Sequence, residues 1–339
     1  MATMRDVAET AGVSIQTVSN VLNGKAFVRP EIQARVMEAV VRLNYRPNRV
    51  AQRMRRGQAQ ALGFIVSDPN PRGLADPFYG EVLTGLAEMA RARDYDVLIE
   101  WLPSDQPVRA DDILSPFQTR RIDGAVIFLH GENACNPHLL NELIEAHAVF
   151  VMLECDSLGD RGYSVCAANF EGGRAVTQHL IARGHRRIAF LDSTQRWPAV
   201  DERRRGYESA MRAYGLDAYI MGVSSPDWTH EGGALAVGRM LEASDARPTA
   251  IAAATDLLAV GAMQAIRARG LRIPDDIAVT GFDDFDFASF VEPALTTVRL
   301  PAHEMGSRAA EMLLGHLSGG EVQPRHVVLP TELVVRRSA

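Results

Sequence analysis

Long apolar runs are missing from this chain of 339 residues. No stretch approaches the roughly 20 apolar residues that a membrane-crossing helix needs. The opening residues, MATMRDVAET, are charged and polar, which argues against a signal peptide. Cysteine is scarce: Cys135, Cys155 and Cys166 are odd in number and show no CxxC spacing. They read as reduced, partly buried thiols of a cytoplasmic protein. Catalytic signatures are also lacking, with no GxGxxG, P-loop, GxSxG or HExxH segment. The nine histidines show no metal-ligand spacing. Asp283, Asp284 and Asp286 could serve a hydrolase, but such runs more often cap helices or line solvated loops. Neither a metal, a cofactor nor an enzymatic activity is therefore expected.

What is present is asymmetric charge. Residues 1–60 carry ten positive and four negative side chains, a balance of +6, while the whole chain is at −6 and the remainder at −12. A basic head on an acidic body suits phosphate binding, because cationic side chains displace counterions condensed on DNA. Within that head, Thr3–Gly24 parses as two short helices and a corner. Thr3 and Asp6 form a capping-box pattern. Met4, Val7, Ala8 and Ala11 make an apolar stripe at helical spacing. Gly12 follows where a helix end favours positive φ. Ser14 can cap a second helix, Ile15 to about Leu22, with Val18, Val21 and Leu22 on its apolar face. Helix, glycine turn, helix is the helix-turn-helix pattern, although an ordinary helical hairpin shares it. Pro30 to about Asn44 reads as a third helix with a stripe of Ile32, Val36, Ala39 and Leu43. Tyr45–Asn48 breaks the pattern. Arg49–Arg56 is too short to be helical alone, since roughly 12–15 residues are marginal. It reads as a basic linker, or as a hinge that becomes helical on DNA.

From Ala61 onward short apolar runs alternate with helical stretches. The expected strands are Ala61–Val66, Tyr95–Glu100, Ala125–Leu129, Val149–Leu153, Ile188–Leu191, Tyr219–Met221, Ala250–Ala254 and Ile277–Phe282. Alternation of this kind means parallel sheets covered by helices. The run exceeds one sheet of usual size, so two α/β subdomains are expected.

The segments Asp6–Gly24, Asn44–Met54, Gly184–Leu191 (GHRRIAFL), Gly281–Asp284 (GFDD) and Ala294–Gly306 together resemble the lactose-repressor type of bacterial transcription regulators, the LacI/GalR family. The resemblance spans nearly the whole chain. It implies an all-α helix-turn-helix head (1–46), a hinge helix or linker (47–58) and an effector-binding, dimerising core (59–339). That core would resemble periplasmic binding proteins: two Rossmann-like parallel-sheet subdomains, about 59–165 with 300–322 and about 166–299 with 323–339. The implied partners are double-stranded operator DNA with a pseudo-palindromic site, a second copy of the chain, and a small-molecule effector. No leucine-heptad tail follows ELVVRRSA, so a dimer is expected.

The resemblance also implies roles by position. Ile15, Gln16 and Asn20 would read bases. Ser14, Thr17, Ser19, Asn23 and Arg29 would touch phosphates, with Arg29 replacing the family's usual small hydroxyl before Pro30. Asn48, Ala51, Gln52 and Met54 would belong to the hinge, Met54 standing where a leucine usually wedges into the minor groove. Phe78, Tyr79, Glu154, Arg203, Trp228, Thr255 and Asp283 would face the effector. Arg204 and Arg205 read as solvated helix charges. An arginine, an aspartate and a tryptophan together favour a sugar or sugar acid. A purine corepressor is the alternative, and an exported sugar-binding protein or an enzyme on the same core is more remote.

Asparagine pairs best with adenine, whereas arginine suits guanine. Replacing Asn20 with Arg should therefore change the preferred half-site at one base towards guanine. The change should be worth about 1–3 kcal/mol of discrimination there. An unbiased binding selection checks this; an unchanged preferred sequence contradicts it.

Overall fold

A computed structural model of the chain describes residues 2–22, 28–45, 58–68, 73–102, 106–155, 157–243 and 247–339. The chain divides into two compact units, Met1–Ala59 and Gln60–Ala339.

Among the described residues, the first unit has three helices: α1 (Met4–Ala11), α2 (Ile15–Leu22) and α3 (Pro30–Arg42). Thr3 and Asp6 close the capping box of α1, and Gly12 ends it at φ +61°. Ser14 Oγ accepts from the Thr17 amide at 3.1 Å at the start of α2. Arg29, at the N-cap position, gives α3 no side-chain cap. Val7, Ala8, Ala11, Val18, Val21, Val36, Ala39 and Tyr45 make the core, with Met4, Leu22, Ile32 and Leu43 packed around it. Two contributions were not legible in the pattern. Tyr45, placed in a break, is buried in this core. Arg35, one of the ten positive side chains of the head, donates to the carbonyls of Ala11 and Gly12 and so satisfies the end of α1.

The second unit opens with β1 (Ala61–Ser67), α4 (Pro77–Ala92), β2 (Asp96–Leu102), α5 (Ala110–Gln118), β3 (Gly124–Leu129), α6 (Pro137–Glu145), β4 (Phe150–Leu153) and β5 (Tyr163–Ala167). There follow α7 (Asn169–Ala182), β6 (Ile188–Ser193), α8 (Pro198–Ala213), β7 (Met221–Ser225), α9 (His230–Ala243), β8 (Ala250–Ala253), α10 (Asp256–Arg267) and β9 (Ala278–Thr280). The chain finishes with α11 (Phe287–Phe290), β10 (Thr297–Arg299), α12 (Ala302–Leu317), β11 (His326–Leu329) and β12 (Glu332–Val334).

Two parallel sheets result, in the orders β11-β5-β4-β3-β1-β2 and β7-β6-β8-β9, with β10 and β12 paired antiparallel beside them. Buried strands with no polar face, such as β1 and β3, are what a sheet covered on both sides requires. The chain leaves the first sheet after Ala167, returns through α12, and leaves again after Leu329. Residues 323–339 were expected wholly in the second subdomain, but β11 pairs with β5 in the first sheet. Its run is four residues long and half exposed, too weak a pattern to be read as a strand. The expected strand Tyr219–Met221 also shifts, because Asp217–Tyr219 is a helical turn and β7 begins at Met221.

Helices cross closely at glycines. A Cβ on Gly206 of α8 would lie 2.1 Å from the Phe170 carbonyl oxygen, and one on Gly173 of α7 would lie 2.2 Å from the Arg203 carbonyl oxygen. Each glycine thus admits the backbone of the facing helix. Gly85 with Gly306 joins α4 to α12 in the same way.

Gly206→Ala should lower stability by about 1–3 kcal/mol or more through overpacking. Gly80→Ala, in α4 with open space around it, should instead raise stability by about 0.5–1 kcal/mol. Chemical denaturation of the two variants checks the contrast; equal effects contradict it.

Candidate functional site

In the head, α2 presents Gln16 to solvent and leaves Ile15 44% exposed at its first turn. An isoleucine left outside a core this small is poor for folding alone. Gln16 Nε2 donates to Asn20 Oδ1 at 3.2 Å, so the two amides lie on one face. Ser14 is occupied as a cap, with Thr17 Oγ1 2.9 Å from its hydroxyl. Asn23 and the hinge residues Asn48, Ala51, Gln52 and Met54 lie outside the described residues.

In the core, a cavity forms where carboxyl ends of strands from both sheets meet, as ligand clefts of such sheets do. Phe78, Tyr79, Trp228, Thr255 and Asp283 all line it. Asp76 accepts from the Phe78 amide at 3.0 Å, which starts α4 and fixes both aromatics at its first turn. Tyr79 donates to Asp68, at the end of β1. Burial, then the Asp68 charge, pushes the Tyr79 phenol well above its ordinary value. His130 Nδ1 lies 2.8 Å from the other Asp68 oxygen but out of line for a hydrogen bond, and its buried Nε2 has no partner.

Arg203 projects from α8 with no exposed surface. Its Nε donates to Asn169 Oδ1 at 2.9 Å and its Nη1 to the Ala254 carbonyl at 2.6 Å. Nη1 also lies 3.4 Å from Asp283 Oδ1. The guanidinium sits 3.8 Å from the Phe282 ring centre and 5.1 Å from that of Trp197. Nη2 is buried without a hydrogen-bond partner. Asp283 follows β9 at φ +126°, a conformation non-glycine residues rarely hold. Burial pushes its carboxyl well above the usual range, and the Arg203 charge opposes that.

Two expected effector residues, Glu154 and Thr255, stand differently, and a third, Arg203, is not among the residues that line this cavity. Glu154 does not line this cavity; it accepts from the Ala167 amide at 3.2 Å and from Asn169 Nδ2 at 2.8 Å, in the adjoining open part of the cleft. Thr255 lines the cavity, but its hydroxyl also accepts from the Leu258 amide as the cap of α10. Arg204, read as solvated, pairs with the buried Asp192, whereas Arg205 pairs with exposed Glu202. Asp284 does not cap a helix through its side chain but holds Arg299 and Arg336 at 2.8 and 2.6 Å. The expectation of three reduced thiols is also corrected: Cys135 and Cys155 form a disulfide, with Cys166 outside it. Twenty residues apart and on different turns, the two carry no local signal of pairing.

The pattern missed Asp68, Phe128, His130, Trp197 and Phe285, which also line the cavity. Trp197 meets Trp228 edge-on with ring centres 6.0 Å apart, and its buried Nε1 has no partner. Position could have found Asp68 and His130, since His130 directly follows an apolar run and Asp68 stands one serine beyond another.

The first residues match the model of bacterial regulatory proteins of the lacI family over 3–48, and residues 177–339 match a periplasmic binding protein-like domain. Along the full length, the ribose operon repressor of Haemophilus influenzae is 31% identical, covering 100% of this chain and 98% of its own. The chain belongs to the lacI family. Among solved structures, a transcriptional regulator CelR–cellobiose complex is 30% identical with a TM-score of 0.72 and full coverage of both chains. The lac repressor dimer bound to operator and an anti-inducer is 26% identical with a TM-score of 0.85, covering 99% and 98%. The lacI-family fold accounts for the three-helix head, the two parallel sheets and the cleft between them.

Below the cleft floor, Asp256 is wholly buried at the start of α10, accepting from the Phe285 amide at 3.1 Å and from the Thr297 hydroxyl. Burial pushes its carboxyl up to about 7. Between about pH 4 and 7 the folded state then holds a proton that the unfolded chain has lost, so this group's contribution to stability falls as pH rises. One proton is worth up to about 1.4 kcal/mol per pH unit. The stability of the wild type minus that of Asp256→Asn should therefore shrink from pH 4 to 7 in denaturant titrations. A constant difference contradicts the assignment.

Proposed function

We propose that this lacI-family chain is a ligand-responsive transcription repressor that acts as a dimer on a pseudo-palindromic operator and turns nothing over. Family membership along the whole length carries this reading. The face of α2 that carries exposed Ile15 and Gln16 and half-buried Asn20 supports it, because groove-reading residues must stay out of the core. Such a protein works where the DNA is, in the cytoplasm.

The effector proposed here is a neutral sugar. Trp197, Trp228, Phe78 and Phe128 offer flat apolar faces to the C–H side of a pyranose or furanose ring. Arg203 Nη2, Trp197 Nε1 and His130 Nε2 are buried and unpartnered, which suits hydroxyl oxygens. Asp68, Asp76 and Asp283 accept from hydroxyl protons. Asp283 already sits beside the Arg203 guanidinium, which takes the place a ligand carboxylate would fill, so a sugar acid is the poorer fit. Sugars appear among the names of its relatives as well, in a ribose operon repressor and a cellobiose complex.

A sugar in this cavity touches α4 of the first subdomain and Trp228 and Asp283 of the second. It can therefore bias their relative orientation and, through residues 47–58, the readiness of the two heads for DNA. Coupling of this kind is reciprocal and typically about 1–3 kcal/mol.

A thermal-shift screen of neutral sugars, uronic acids and nucleobases tests the effector class. A neutral sugar at 100 times its dissociation constant should stabilise the fold by about 2.7 kcal/mol. Stabilisation by nucleobases or uronic acids alone contradicts it.

A further inference from the structure

The disulfide sits where it can act on the cleft. It ties the turn after β3 to the turn after β4, with Cα atoms 5.5 Å apart, inside the span that a disulfide requires. Cys135 is half-buried and lines the open part of the cleft with Glu154, Asn169 and Arg205, whereas Cys155 is 3% exposed. Cys155 directly follows Glu154. Both Cys135 and Glu154 hold left-handed backbone, at φ +55° and +54°. From Glu154 a buried chain of contacts runs on: to Asn169 at 2.8 Å, from Asn169 to Arg203 at 2.9 Å, and from Arg203 to Asp283 at 3.4 Å. The bridge thus fixes the turn that anchors one end of this chain, and the other end is the cavity wall.

We propose that Cys135–Cys155 is a reversible thiol–disulfide exchange site for low-molecular-weight thiols, and that its state sets how tightly the cleft closes. The inference rests on the repressor reading in one respect: a protein sharing a compartment with DNA also meets a reducing thiol pool, where disulfides are usually transient and sensing. Attack is possible only at the accessible sulfur. An external thiolate forms a bond to Cys135 Sγ, and the Cys155 sulfur leaves with the electron pair and takes a proton. A second external thiol then attacks the mixed disulfide at its outer sulfur, releasing the Cys135 thiol and one molecule of external disulfide. Two electrons and two protons pass to the protein, and the external thiols are oxidised in balance. Reduction frees the Glu154 turn, loosens its hold on Asn169 and Arg203, and opens the aromatic cavity.

The full-length protein is equilibrated in glutathione buffers of different reduced-to-oxidised ratio. Rapid alkylation with mass spectrometry reads the cysteines, and acrylamide quenching reads the buried cleft indoles Trp197 and Trp228. Cys135 and Cys155 should gain alkyl groups together, and the quenching constant should rise at least about twofold on reduction, as expected for local opening. Cys135→Ser should show the raised value in both buffers, and Cys166→Ser should keep the response. A pair that stays reduced at every ratio, or equal quenching of its two states, overturns the proposal. Should Cys135→Ser not fold, the wild type in the two buffers decides alone. No arm uses DNA, so a failure to bind DNA would sink the repressor reading and leave this result intact.

Discussion

The buried guanidinium of Arg203 constrains the core more than any other group. A cation with no exposed surface costs several kcal/mol to desolvate unless its partners are well placed. The chain surrounds it with an amide oxygen, a carbonyl, a carboxylate and two aromatic rings, yet leaves one nitrogen without a partner. The glycine contact of α7 with α8 brings Asn169 within reach of Arg203, and the strained turn after β9 brings Asp283. Replacing such a pair with apolar side chains is often neutral or stabilising. We propose that its presence here serves a ligand.

The same geometry joins the cleft to the two halves of the core. One carboxylate relay begins on the turn after β4, in the first sheet, and ends on the turn after β9, in the second. Whatever enters the cavity meets the Asp283 end of that relay and an aromatic wall drawn from both subdomains. A change at either end, whether a bound sugar or the state of the Cys135–Cys155 pair, therefore acts on a shared element.

Much of this was legible in the sequence where the signal is local. Caps, the glycine turn and the apolar stripes define α1 and α2, because helix ends are decided by groups within four residues. Buried parallel strands such as β1 and β3 stand out as unbroken apolar runs. Trp228 and Asp283 came from the family resemblance and line one cavity, with Arg203, from the same source, buried beside Asp283. The rest depends on distant parts of the chain. Trp197 and His130 become cavity residues only when two loops 67 positions apart meet, and β11 is a strand only because β5 lies beside it. Tyr45 looked like a break since its packing partners are on α1 to α3 rather than on its own segment. Arg35 carried no local sign of its role because its partners lie 23 and 24 residues away.

The central proposal is that the Arg203–Asp283 pair serves ligand binding. Replacing both together, as Arg203→Met with Asp283→Leu, tests it through the melting temperature, measured with and without any sugar that raises that of the wild type. No response to the sugar is expected, together with a melting temperature lowered by the Asn169 and Ala254 oxygens left unpaired. A double variant that still responds to the sugar would contradict it.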